Sequence, residues 1–125
     1  GAVASFLAVK PSYSFHVVNM HDNGMVYDIS TVTKTDFRIN GGYFILRKEI
    51  FDFMEPGDEL VEQPFQRLIA AELLAAYKYS GFWAPMDTFK DKMRLDDMYN
   101  SGYTPWQVWQ KEEDKIPNFS NEQTI

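Results

Sequence analysis

The architecture turns on residues 74–88, LAAYKYSGFWAPMDT. Tyr77 and Tyr79 alternate with Lys78 and Ser80, the two-residue period of a strand, so Leu74–Tyr79 is predicted as one. Gly81–Thr88 is irregular and aromatic. Thr88–Tyr99 then predicts a helix, with Phe89, Met93, Leu95 and Met98 turned inward and Asp87 as the N-cap. Asn100, Ser101 and Gly102 end it. A strand that runs through a loop into a helix belongs to an α/β or α+β chain. The strands are too few for a closed barrel.

Upstream, a helix is expected from Pro64, a favoured first-turn residue, with Phe65, Leu68, Ile69 and Leu73 as its apolar stripe. Before it, Lys48–Met54 reads as a short helix with Ile50, Phe53 and Met54 on one face, closed by Pro56 and Gly57. Arg38–Leu46 (RINGGYFIL) reads as a strand carrying a glycine pair. Glycines inside a strand mark a bulge or a close approach by another group. Thr33–Phe37 is a polar loop. Phe15–Met20 and Met25–Val32 read as the arms of a hairpin around His21, Asp22, Asn23 and Gly24, since Asn-Gly between apolar runs is a strong turn pattern. Val3–Lys10 (VASFLAVK) is apolar on both faces, as a buried strand would be. Downstream, Pro105–Trp109 should pack its two tryptophans on the body.

Composition narrows the function classes. The chain has 125 residues, 45% of them hydrophobic and 24% charged, the profile of a globular domain or part of one. Its net charge of −6 disfavours nucleic acid, because an acidic surface gains little from counterion release. Cysteine is absent, which excludes disulfides, thiolate metal sites and cysteine nucleophiles. No apolar run approaches the roughly 18 residues of a membrane helix. Gly1–Ala8 lacks the basic start of a signal peptide. The chain opens on Gly1 rather than Met and is expected to begin mid-protein. From Gln110 onward the composition turns polar and charged, so 1–109 is read as folded and 110–125 as a mobile tail.

Three segments carry candidate chemistry. Asp87, between a strand end and a helix, suits an N-cap and equally a magnesium ligand, since ligand sites of open sheets gather at strand ends. Asn40, Gly41 and Gly42 suit a bulge and equally a floor for a flat ligand such as a sugar. Without Cβ atoms the backbone can come close, and Asn40 offers donors and an acceptor. Lys34 reads first as a solvated surface lysine, with a phosphate contact as the functional alternative. His16 and His21 do not have helical ligand spacing. Asp58, Glu59 and Glu62 read as charges at a helix start, and Asp96 and Asp97 as a solvated helix face. No Ser-His-Asp order or G-x-S-x-G turn is present, and no catalytic residue is assigned.

Taken together, INGGYFIL (39–46), the run from Glu59 to Thr88 and KDKMRLDDMYNSGYTPWQVW (90–109) resemble the second half of sugar-1-phosphate nucleotidyltransferases. The F-W-x-P-M-D-T and P-W-x-V-W patterns are most similar to the glucose-1-phosphate cytidylyltransferase branch. The resemblance implies the C-terminal portion of a Rossmann-like nucleotide-diphospho-sugar transferase fold, a mixed sheet flanked by helices. It implies an enzyme that joins a sugar 1-phosphate to a nucleoside triphosphate and releases pyrophosphate, with Mg2+ as cofactor and the cytoplasm as location. Asp87 would be one of two metal-binding aspartates, and Asn40, Gly41 and Gly42 would border the sugar. The family's Gly-rich triphosphate loop and its other metal aspartate have no match here. Its Glu-Lys-Pro becomes Thr33-Lys34-Thr35, in which Lys34 keeps the sugar-phosphate lysine. The chain alone is therefore expected to be inactive, and its uncovered sheet edge to drive homo-oligomerisation. The alternative is a non-catalytic sugar-nucleotide-binding or assembly module.

Overall fold

The computed structural model describes residues 1–110. In chain order the strands are β1 (Ala4–Val9), β2 (His16–Met20), β3 (Val26–Thr31), β4 (Ile39–Asn40), β5 (Ile45–Leu46) and β6 (Leu74–Tyr79). The helices are α1 (Gln63–Ala70) and α2 (Phe89–Asn100), with 3-10 turns at Val32–Lys34 and Lys48–Phe53. Residues 1–81 form one compact unit, and a second begins at Phe82.

The first unit is a small α/β arrangement on a mixed sheet. β1 is its middle strand, which is why VASFLAVK is apolar on both faces. β6 runs parallel to β1 from Ala4↔Leu74 to Val9↔Tyr79. β4 and β5 lie antiparallel on the other edge. Alternate residues of β1 then face opposite layers. Val3, Ala4, Ile50, Phe65 and Leu68 make the core under α1, with Phe6, Phe53, Met54, Leu60, Leu73 and Leu74 packed against it. Phe6, Phe44 and Phe65 meet as an aromatic cluster, Phe65 lying 5.9 Å from Phe6 and 5.7 Å from Phe44. On the opposite face, Ile45 is 75% exposed and Tyr77 65% exposed.

β2 and β3 form the expected hairpin, with Val18 opposite Ile29 and a bulge beside Met20. The His21 N–H donates to Met25 and the Gly24 N–H to His21, closing the Asn-Gly turn. One face is polar and bonded: the Asn19 amide and the Ser30 hydroxyl both donate to Asp28. Val18, Met20, Val26 and Ile29 are exposed.

Several expectations change. RINGGYFIL is two short strands rather than one. Lys48–Phe53 is 3-10, with Ile50 buried as expected. Ile69 is exposed, because α1 buries only the narrower stripe of Pro64, Phe65 and Leu68. α1 ends at Ala70 and is capped by Ala71, with Glu72 in the left-handed region (φ 57°), and the Leu73 N–H reaches back to the Leu68 carbonyl. That is the position where glycine is usual.

In α2 the inward stripe is Asp91, Leu95 and Met98, while Phe89 and Met93 are exposed. A buried aspartate occupies the first inward position, so apolar spacing alone mislocates the face. Trp106 packs on Phe82 at 5.9 Å, but Trp109 is 74% exposed. Apart from Gln110, the expected tail lies outside the described residues. Among the described residues no helix is long and apolar enough to cross a membrane.

Candidate functional site

The glycine pair makes a bulge against the centre of β1. Three steps along β1, from Ala8 to Ser5, face five steps from Asn40 to Ile45. Gly41 and Gly42 share Leu7: the Gly41 N–H donates to the Leu7 carbonyl at 2.7 Å, and the Leu7 N–H donates to Gly42 at 3.0 Å. The surplus is absorbed by two consecutive left-handed residues, Gly42 (φ 78°) and Tyr43 (φ 54°). Asn40 locks the turn, its Oδ1 accepting the Gly42 N–H at 2.8 Å. The side chain is exposed, and its amide nitrogen has no partner among the described residues. The Asn40 side chain is therefore left chiefly as a donor, since its acceptor already serves the bulge. No atom lies within 4 Å of where a Cβ on Gly42 would stand, so the space beside Gly42 is open.

At the carboxyl ends of β1 and β6, charges gather. Lys34 ends the 3-10 turn Val32–Lys34, is exposed, and makes no hydrogen bond or ion pair among the described residues. Lys10 donates to the Thr35 carbonyl at 3.3 Å. Asp36 receives Lys78 at 3.1 Å and lies 3.5 Å from the Arg38 Nε. Lys78, and after it Arg38, hold the Asp36 carboxyl below the usual carboxylate range. Arg38 Nη1 donates to the carbonyls of Ala8 (3.1 Å) and Tyr79 (3.2 Å). Sequence reading misses Arg38 because its partners are backbone atoms far along the chain, which leave no pattern in side-chain identities.

Asp87 belongs to the second unit. The sequence predicts Asp87 as the N-cap of α2, but Thr88 takes that place. The Thr88 hydroxyl accepts the Asp91 N–H at 3.1 Å, and Asp91 Oδ2 accepts the N–H groups of Thr88 (3.1 Å) and Asp87 (3.2 Å). This is a reciprocal capping box, and its T-x-x-D pattern is present in the sequence. Because Thr88 and Asp91 satisfy the helix start, the exposed Asp87 carboxylate has no capping duty and no bonded partner among the described residues. A free, solvent-facing carboxylate suits magnesium, which takes one or two carboxylates and fills its shell with water and phosphate. Among the described residues no three His, Asp or Glu side chains converge as a metal cage.

The remaining candidates have structural or surface places. His16 and His21 are exposed, and His21 leans on Tyr27 at 4.7 Å. Asp58 is not a helix-start charge: it pairs with Arg67 at 2.6 Å and accepts the Glu55 N–H at 2.7 Å. Asp96 and Asp97 are exposed, and Asp96 pairs with Lys92 one turn earlier.

No family model matches the chain. Curated relatives do. A probable glucose-1-phosphate cytidylyltransferase of Bacillus subtilis (strain 168) is 33% identical over 111 residues, which cover 87% of this chain and 43% of that protein. The glucose-1-phosphate cytidylyltransferases of Salmonella typhimurium and Salmonella typhi are each 32% identical over 112 residues, 88% of this chain and 43% of theirs. The chain thus spans less than half the length of the curated relatives it matches. Over 87–88% of its own length, this chain is a relative of the glucose-1-phosphate cytidylyltransferases.

Proposed function

We propose that this chain is the C-terminal portion of a sugar-1-phosphate nucleotidyltransferase that makes a nucleotide sugar from a sugar 1-phosphate and a nucleoside triphosphate, with glucose 1-phosphate and CTP as the first substrates to try. The observation that carries the reading is the identity of about one third, over nearly the whole chain, with relatives named for that reaction. The mixed sheet with β6 parallel to β1 is compatible with part of a Rossmann-like transferase domain. The apolar face around Ile45 and Tyr77 fits a sheet that a further layer of the complete protein covers, since parallel strands are normally buried on both faces.

The roles follow from the chemistry of each group. Lys34 meets the sugar phosphate as a mobile point charge. The Asn40 amide donates to a sugar hydroxyl, and Gly41 and Gly42 let the ring lie against the backbone. A phosphate oxygen of the sugar attacks the α-phosphorus in line, and pyrophosphate leaves. Asp87 holds Mg2+, which when bound supplies Lewis-acid stabilisation of phosphate charge. One carboxylate and no triphosphate cradle leave the isolated chain inactive. The same uncovered apolar surface makes it a homo-oligomer, and the substrates place the reaction in the cytoplasm.

A non-catalytic sugar-nucleotide-binding or assembly role is the second reading. It is favoured by Thr33, which puts a hydroxyl where the family resemblance calls for a carboxylate beside the lysine. Incubating the full-length protein with sugar 1-phosphates and each triphosphate, while following pyrophosphate, separates the two. Magnesium-dependent release supports the enzyme. Binding of a nucleotide sugar without release supports the second reading, and neither binding nor release overturns both.

A further inference from the structure

We infer that Arg38 is a positioning residue that sets the Asn40–Gly42 bulge and, through it, affinity for the sugar 1-phosphate; the inference rests on the function proposed above. Its side chain is 15% exposed and spans from the residue before β4 to the ends of β1 and β6. Nη1 donates to Ala8 at 3.1 Å and to Tyr79 at 3.2 Å, joining the carboxyl ends of β1 and β6. Ala8 is the residue directly opposite Asn40, and Leu7, its neighbour, is the residue that Gly41 and Gly42 share. The guanidinium therefore grips β1 beside the point where the bulge is fastened. The fastening closes a ring: Arg38 leads through Ile39 to Asn40, Asn40 pairs with Ala8, and the Ala8 carbonyl returns to Arg38.

Two features separate this from ordinary surface bonding. The Nε of Arg38 is buried and has no hydrogen bond among the described residues, so the head group is held by its Nη1 contacts and by the charge of Asp36 rather than by a full set of acceptors. β4 is also only two residues long, so ladder bonds alone hold it weakly against β1. A planar guanidinium can serve two carbonyls in fixed directions, whereas a lysine ammonium is a single mobile point. Loss of the grip should displace the Asn40 amide and the glycine patch without touching groups that meet the triphosphate.

The test uses the full-length protein, with Arg38→Met and Arg38→Lys. For Arg38→Met, KM for the sugar 1-phosphate should rise on the order of tenfold, the scale of a binding group moved by a fraction of an ångström. KM for the triphosphate should stay within about twofold, and Arg38→Lys should fall between wild type and Arg38→Met. Equal rises in both KM values, or an unchanged sugar KM in either folded variant, overturn the inference. If Arg38→Met fails to fold, Arg38→Lys alone decides by the same criterion. A wild-type protein that releases no pyrophosphate counts against the function instead. In that case amide exchange decides the grip: faster exchange at Gly41 and Gly42 in Arg38→Lys supports it, and equal exchange overturns it.

Discussion

At single residues, backbone conformation matters as much as side-chain chemistry. Gly42 has φ 78° and open space around its missing Cβ, so alanine there meets strain rather than collision. Gly42→Ala should cost about 1 kcal/mol in urea denaturation, and Gly42→Asn less, because asparagine tolerates the left-handed region. Glu72 is the opposite case, a non-glycine residue at φ 57° closing α1. Relief of the left-handed penalty outweighs the added chain freedom, so Glu72→Gly should stabilise by roughly 0.5–1 kcal/mol in the same measurement. The glycine pair was readable as a bulge from sequence. Glu72 was not, since nothing about a glutamate after an alanine-rich stretch announces positive φ.

At the scale of elements, caps and ion pairs decide where helices begin and how loops lie on them. The Thr88–Asp91 box satisfies the start of α2, so Thr88→Ala should lower stability by about 1 kcal/mol in thermal denaturation, while Thr88→Ser should cost little. On α1, the Arg67 guanidinium holds the Asp58 carboxyl below its ordinary value, helped by the Glu55 N–H. The side chain of Asp58 is 10% exposed, and Arg67 also donates to the Phe53 carbonyl at 2.7 Å, so the pair fastens the loop after the second 3-10 turn to the helix. The sign follows from the depressed value: with fewer protons bound folded than unfolded, the stabilisation is full above the ordinary value of 3.8 and is lost as pH falls through the lowered one. Urea midpoints measured from pH 7 down to pH 2 should show this acid loss in the wild type. Asp58→Asn should be less stable at pH 7 and show a smaller drop.

Across the whole molecule, exposed apolar surface is the dominant feature. α1 and the second 3-10 turn cover one face of the sheet. The other presents Ile45 and Tyr77, and the hairpin presents Val18, Met20, Val26 and Ile29. If a further layer covers that sheet face in the complete protein, Tyr77→Asp there should destabilise by about 2 kcal/mol or more, because a charge would be buried without a partner. A change within about 0.5 kcal/mol, as at an ordinary surface site, would mean that the face stays wet. Light scattering on the isolated chain should show association through the same surface.

Local chemistry was enough to place β1, β2, β3 and β6, the hairpin turn, the start of α1 and the glycine bulge, because two-residue alternation, Asn-Gly and proline at a helix start act over a few neighbouring residues. It could not show that Lys48–Phe53 winds as a 3-10 turn, or that Asp91 rather than Phe89 and Met93 faces inward; the T-x-x-D pattern at Thr88–Asp91 was there to read, but Asp87 competed with it for the cap. Each of those depends on which of several adjacent groups is satisfied once the chain has packed. Arg38 depends on folding most of all: its acceptors are carbonyls 30 and 41 residues away, and only the pairing of β1 with β6 brings them to one guanidinium.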